Sequence, residues 1–158
     1  MTAIHQATFD DLTYIGSWLC DDDRRELSLT RDADDYVALA NDALRSTVCK
    51  VAVNDAALPV MAFGAKTDGD LAVVWGFKTD RARPAIGRVT KYINRVMIPA
   101  LRDMGVRRAV CVVHPENQAS QAWLQHLGFA AQATRRDIGT QQGEVVLFQR
   151  DEPDAPLA

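Results

Sequence analysis

The run Asn117-Gln118-Ala119-Ser120-Gln121-Ala122-Trp123-Leu124-Gln125-His126-Leu127-Gly128-Phe129 decides how this chain is read. Asn117 is a residue type that caps a helix by accepting a backbone N–H with its side chain. Ala119, Trp123 and Leu127 then recur at i, i+4 and i+8, and Gly128 readily adopts the left-handed backbone of a helix stop. The spacing predicts a helix over 118–127. Just before it, Val106–Val113 is apolar enough for a buried strand, so strand and helix meet through the turn His114-Pro115-Glu116.

Upstream, Gly105 closes a longer helical pattern that opens near Pro84, with Val89, Ile93, Val96, Ala100 and Met104 expected on its inward stripe. Pro99 lies inside that pattern, where it costs about 3 kcal/mol in a regular helix, so a kink or break is expected there. Before it, Val48–Val53, Pro59–Ala65 and Leu71–Phe77 read as an antiparallel meander turning at Asn54–Ala57 and Thr67–Asp70. In the third strand bulky Leu71, Val73, Trp75 and Phe77 alternate with the smaller Ala72, Val74 and Gly76, a pattern for a central strand covered on both faces. Earlier still, Ile4–Ala7 reads as a short strand, Thr8 and Asp11 as the cap of a helix reaching about Leu19, and Asp34–Ser46 as a second helix. Asp21–Glu26, polar and of mixed sign, is expected to be a solvated connection rather than a metal site. Downstream, Ala130–Asp137 and Glu144–Gln149 are expected to be strands around an Ile138–Gly143 loop.

Composition narrows the function classes. A chain of 158 residues, 47% of them hydrophobic, fits one domain, expected over 1–150 with a polar tail over 151–158. With 18 Lys+Arg against 21 Asp+Glu the net charge is −3, which gives no electrostatic case for nucleic acid or an anionic membrane. Cys20, Cys49 and Cys111 match neither a disulfide framework nor a zinc half-site, and His5 and His126 have no partner at ligand spacing, so no metal is expected. The longest apolar run, Leu71–Phe77, falls far short of the roughly 20 residues of a membrane span, and the opening residues do not read as a signal peptide. A reducing cytoplasm is the expected location. No GxGxxG follows a strand, which argues against a dinucleotide-binding fold.

The order β-α-α-β-β-β-α-β-α-β-β, together with Asn117–Phe129, resembles the GNAT superfamily of acetyl-coenzyme A-dependent N-acetyltransferases, over roughly residues 48–130. The resemblance implies an α/β (α+β) GNAT-type domain whose mixed, mostly antiparallel sheet carries helices on both faces. It implies acetyl transfer from acetyl-coenzyme A to an amine of a small molecule or protein. Leu71–Phe77 and Val106–Val113 would then splay apart to admit the pantetheine arm as an added strand. In the family an Arg/Gln-x-x-Gly-x-Gly/Ala loop holds the pyrophosphate at the start of the long helix. Counting back from Gly105 puts Ile86, Arg88 and Thr90 at the small positions and leaves Gly87 out of register. From Lys78 to Lys91, five basic residues (Lys78, Arg81, Arg83, Arg88, Lys91) face one acid, Asp80; they either replace those backbone donors or form a solvated basic face.

The site residues implied are Phe77, Thr79, Arg83, Arg88, Lys91 and Asn117 around the coenzyme, and His114 or Glu116 as general base. The tyrosine that the family often places five residues before the final Phe is Leu124 here, which cannot protonate a thiolate. Trp75–Asp80, the Arg-rich helix after it, and Ala7–Leu12 also resemble the GNAT-like internal virion proteins of short-tailed phages. That branch implies an alternative: a non-catalytic scaffold for virion assembly or host-protein binding, placed in the virion or host cytoplasm.

Overall fold

In the computed structural model, which describes residues 2–135 and 143–152, Thr8 and Asp11 form the expected reciprocal cap. The Asp11 N–H donates to Thr8 Oγ1 at 3.1 Å and the Thr8 N–H to Asp11 Oδ2 at 3.0 Å. They open α1 (Phe9–Ser17), which follows β1 (Ala3–Gln6). The expected solvated connection is instead a helix, α2 (Asp21–Leu27), with its acids in the first turn and Arg24 and Arg25 after them. That order suits the helix dipole. Asp23 within it is only 3% exposed, so three helices rather than two precede the second strand. The third, α3 (Tyr36–Leu44), packs on α1 so closely that a Cβ on Gly16 would lie 2.6 Å from the Cβ of Tyr36.

The meander forms as β2 (Val48–Val53), β3 (Pro59–Asp68) and β4 (Leu71–Lys78). With β1, β5 (Arg108–Val113), β6 (Ala130–Arg135) and β7 (Val145–Asp151) they make a seven-stranded sheet ordered β1-β2-β3-β4-β5-β7-β6. Every neighbouring pair is antiparallel except β4 and β5, which run parallel, and β4 is the middle strand. Arg136, Asp137 and Ile138–Gln142 of the expected closing strands and loop, and residues 153–158 of the expected tail, lie outside the described residues. Asp151, where that tail was expected to begin, still pairs with Arg108.

The helix after β4 starts as a 3₁₀ turn (Arg83–Ala85) and continues as α4 (Ile86–Tyr92), a π-turn (Ile93–Met97) and α5 (Ile98–Asp103). The break expected at Pro99 therefore takes the form of a π-turn just ahead of it, which leaves Pro99 in the first turn of α5, where its missing N–H costs little. The π-turn also rotates the buried face of the residues beyond it. Val89, Ile93, Met97 and Leu101 are buried, whereas Val96 and Met104, expected inward, are 47% and 54% exposed. Each such aliphatic side chain contributes about 1.5–3 kcal/mol by leaving water. Gly105 and Gly128, at φ +95° and +91°, end the long helix and α6 (Gln118–His126) as expected.

Met61, Phe63 and Ala65 of β3 join the long helix and α6 in one core, while Ala62 joins α1 and α3 in the other. Strand periodicity thus divides the two faces. Between Phe63 and Ala65, Gly64 is obligatory: a Cβ there would sit 2.0 Å from the Val48 carbonyl oxygen.

Candidate active site

β4 and β5 pair at only three registers, Leu71 with Arg108, Ala72 with Ala109 and Val73 with Val110. Beyond Val73, β4 stays with β3 to Lys78 and β5 stays with β7 to Val113, so the two central strands part. The main chain of Lys78 shows which groups face the gap. Its N–H donates to Asp23 Oδ2 at 2.8 Å and its carbonyl accepts from the Cys20 N–H at 2.9 Å, so neither group is used by β3. By the strand's period of two, Gly76 presents its N–H and C=O, and Val74 its C=O, to the same gap, the Val74 N–H belonging to the last rung shared with β5. A cavity of about 500 Å³ occupies it and continues beneath the long helix, with Val74, Gly76, Cys111, Val113 and Trp123 in its walls.

Helix α2 spans the open end. Asp23 and Glu26, three residues apart, lie on one helix face. Asp23 holds the β4 side, through the Lys78 N–H and through Lys78 Nζ at 3.0 Å. Glu26 holds the other side: its Oε1 accepts from the His114 N–H at 2.8 Å and from Asn117 Nδ2 at 3.3 Å. Burial pushes the Glu26 carboxyl up to about 7, the charge of Asp23 adds to this, and the two hydrogen bonds and Lys78 oppose it. Both bonds fall on Oε1, which leaves Oε2 to take up a proton near neutral pH. Burial works against the Lys78 ammonium, but the charges of Asp23, Cys20 and Glu26 outweigh it and hold its pKa above the ordinary value. Burial pushes the nearby Cys111 thiol up to about 12, helped by Glu26, so it stays a thiol.

The site residues expected from sequence are dispersed around this geometry. His114 contributes its main chain to Glu26, while its Nδ1 accepts from the Glu116 N–H at 3.0 Å. Glu116 is exposed and paired with Arg25 at 3.1 Å. Phe77 is buried in the α1/α3 core, stacked on Trp75 at 5.5 Å between ring centroids. Thr79 is buried in the cavity wall, its Oγ1 accepting from the Arg81 N–H, and Arg83 lines the mouth. Arg88 and Lys91 are exposed on α4, and among the described residues no carboxylate pairs with Arg81, Arg83, Arg88 or Lys91. Asn117 both caps α6, accepting from the Ser120 N–H at 3.2 Å, and donates to Glu26. Sequence reasoning missed Asp23 and Glu26. The signal available was the run of acids followed by arginines, which marks a helix start as readily as a polar loop.

The helix start differs from the sequence count as well. Thr90, assigned a small-residue position, lies a turn into the helix, its hydroxyl donating to the Ile86 carbonyl and accepting from Trp123 Nε1 at 2.9 Å. The π-turn holds one residue more than an α-turn, so counting back from Gly105 stops one residue short. Correcting for it moves the first two positions to Ala85 and Gly87, both small. Gly87 is exposed, and a Cβ added there would meet nothing within 4 Å, so packing does not explain the glycine.

No family model matches the sequence, and no curated protein matches it. Solved structures do. An N-acetyltransferase from Staphylococcus aureus Mu50 superposes with a TM-score of 0.70 at 16% identity, covering 96% of this chain and 98% of that one. The ribosomal-protein-S18-alanine N-acetyltransferase from Escherichia coli gives 0.67 at 16% identity, covering 100% and 99%. A GNAT superfamily phosphinothricin acetyltransferase from Sinorhizobium meliloti, solved in complex with acetyl-coenzyme A, gives 0.67 at 16% identity, covering 98% and 90%. This chain has the GNAT fold. Within the GNAT fold the parted middle strands and the helix that follows β4 are its own realisation of the expected splay. Among the described residues no three His, Cys, Asp or Glu side chains gather as a metal site, and no helix is long and apolar enough to cross a membrane.

Proposed function

We propose that this chain is an N-acetyltransferase that moves an acetyl group from acetyl-coenzyme A to an amine of a small molecule or protein, with Glu26 as general base. The observation that carries the reading is a carboxyl pushed up to about 7, held at the rim of the gap between β4 and β5. A base poised near neutral pH is deprotonated often enough to act and basic enough to accept the proton of an attacking amine. The edge groups of Gly76 and the Val74 carbonyl suit an amide-bearing arm added as a strand, and the bolted rung at Lys78 sets where that arm must end. The open backbone at Gly87, with Arg83 and Arg88 beside it, fits a pyrophosphate. His114 and Glu116 then serve the site as neighbours of Glu26 rather than as bases.

Leu124 does not exclude turnover. A thiol's ordinary pKa is about 8.5, so a thiolate is a stable leaving group that needs no proton from the protein. The leucine does favour a second reading, a GNAT scaffold that binds a phage or host protein without catalysis. The two separate experimentally. Acetyl-coenzyme A at millimolar concentration should raise the melting temperature by mass action. Glu26→Gln should lower kcat by about 10²–10³-fold while leaving the KM for acetyl-coenzyme A nearly unchanged. No melting shift, with a co-purifying protein partner that is lost on Arg88→Glu, would support the scaffold instead. A wild-type rate in Glu26→Gln would remove Glu26 from the role of base.

A further inference from the structure

We propose that Asp23 is the positioning residue of this site: its carboxylate bolts α2 to the last rung of β4 and keeps the Lys78 ammonium engaged, so that Glu26 is held at the gap as a usable base. Its catalytic meaning rests on the reading of Glu26 above.

Geometry carries the argument. Where β4 leaves β5, its main-chain groups lose their sheet partners, and at Lys78 both are recovered by α2 and its N-cap: the N–H by Asp23 Oδ2 and the carbonyl by the Cys20 N–H. The antiparallel bridge of Leu19 with Thr79 extends the same seam. Helix α2 has seven residues and no side-chain bond at its N-cap, so it is too short to hold itself. Within one turn its two inward carboxylates are tied to opposite strands, Asp23 to β4 and Glu26 to the turn after β5. The helix is therefore a strut across the mouth, about 5 Å of rise between its two anchors. Releasing Asp23 frees one end.

Charge is set by the same contacts. The groups facing Glu26 are Asp23 on its own helix, Lys78 on β4, the Cys111 thiol on β5, and the His114 N–H and Asn117 amide beyond β5. Arg25 is turned to Glu116 and Arg24 to Asp34. Asp23 and Lys78 thus act on Glu26 with opposite sign, each tempering the other.

The test separates positioning from simple support of the fold. Asp23→Asn keeps an oxygen for the Lys78 N–H but removes the negative charge and leaves the ammonium uncompensated. The titration midpoint of Glu26, read from its carboxyl carbon by NMR in the unliganded protein, should fall by about one pH unit. Lys78→Met should move the midpoint upward. A folded Asp23→Asn whose Glu26 midpoint matches wild type overturns the proposal. If Asp23→Asn does not fold, a Lys78→Met midpoint that stays put or falls overturns it instead. In turnover, the limb of kcat/KM that rises with pH should track the NMR midpoint. Asp23→Ala should lower kcat at least tenfold with the KM for acetyl-coenzyme A unchanged. Full activity in Glu26→Gln would refute the base while leaving the NMR shifts to judge Asp23 on their own.

Discussion

Helices α2 and α6 flank the same gap and meet at Glu26, yet they are held by different means. Helix α6 carries its own instructions: Asn117 caps its start and Gly128, at φ +91°, stops it. Helix α2 has Cys20 at its N-cap with no side-chain bond, and ends on Ser28 in ordinary helical geometry. What holds α2 is tertiary, the Asp23–Lys78 clamp on one side and the Glu26 bonds on the other. The element furnishing the candidate base is thus the one whose local sequence argues least for it. Local stability and site chemistry have been placed on separate helices.

The two helices share one residue, Asn117. Asn117 is 2% exposed and serves both helices at once. Asn117→Ala removes a cap worth about 1 kcal/mol and a hydrogen bond to a carboxylate worth about 1.5–3 kcal/mol. A loss of about 2.5–4 kcal/mol is expected, seen in calorimetry as a drop of roughly 5–16 °C. Asn117→Ser restores the cap but cannot reach Glu26, so it should recover no more than half of that loss. Complete recovery would mean that the bond to Glu26 contributes nothing to α2.

The same contrast explains what was legible beforehand. The cap at Thr8, the meander, the capped helix after Asn117 and the glycine stops at Gly105 and Gly128 are local signals, and each produced the element expected of it. The succession of seven strands along the chain agreed as well, as did a central β4. The long helix matches its expected extent, and its expected face as far as Val89 and Ile93, but not beyond, because no periodicity count anticipates one extra residue in a π-turn. That residue exchanges Val96 and Met104 for Met97 and Leu101, and moves the small-residue pair from Ile86 and Arg88 to Ala85 and Gly87. Asp23 and Glu26 were illegible for another reason. A polar run looks solvated until the main chain of a strand 55 residues away needs one of its carboxylates.

A smaller effect sharpens the contrast between stability and chemistry. The Glu26 carboxyl is raised from its ordinary 4.5 to about 7, so the folded protein holds a proton there that the unfolded chain releases. Stability from this group is therefore present in full below about 4.5, declines as pH rises toward 7, and stays reduced above it. Gln keeps an oxygen for the His114 N–H and Asn117 amide but cannot ionise. Glu26→Gln should match wild type near pH 4.5 and exceed it by about 1–2 kcal/mol at pH 8, a figure reduced for the group's partial exposure. Denaturant melts at the two pH values read this directly. Equal stability at both would mean that Glu26 ionises in the fold without penalty and is no better a base than a surface glutamate.

The smallest expected effect lends α2 the local signal it lacks. Cys20 already has the extended backbone of an N-cap, at φ −64° and ψ 157°, and its N–H is committed to the Lys78 carbonyl whatever its side chain. Cys20→Ser changes one atom, from a sulfur that caps poorly to an oxygen that accepts well from the N–H of Asp22 or Asp23. A gain of about 0.5–1 kcal/mol is expected, a rise of roughly 1–4 °C. Hydrogen exchange localises it: the amides of α2 should slow while those of α6 do not change. A serine that raises stability without touching the Glu26 midpoint would show that the helix was left uncapped at little cost to its chemistry. If the amides of α2 exchange as before, the Asp23 clamp already fixes the first turn, and no local signal has anything left to add.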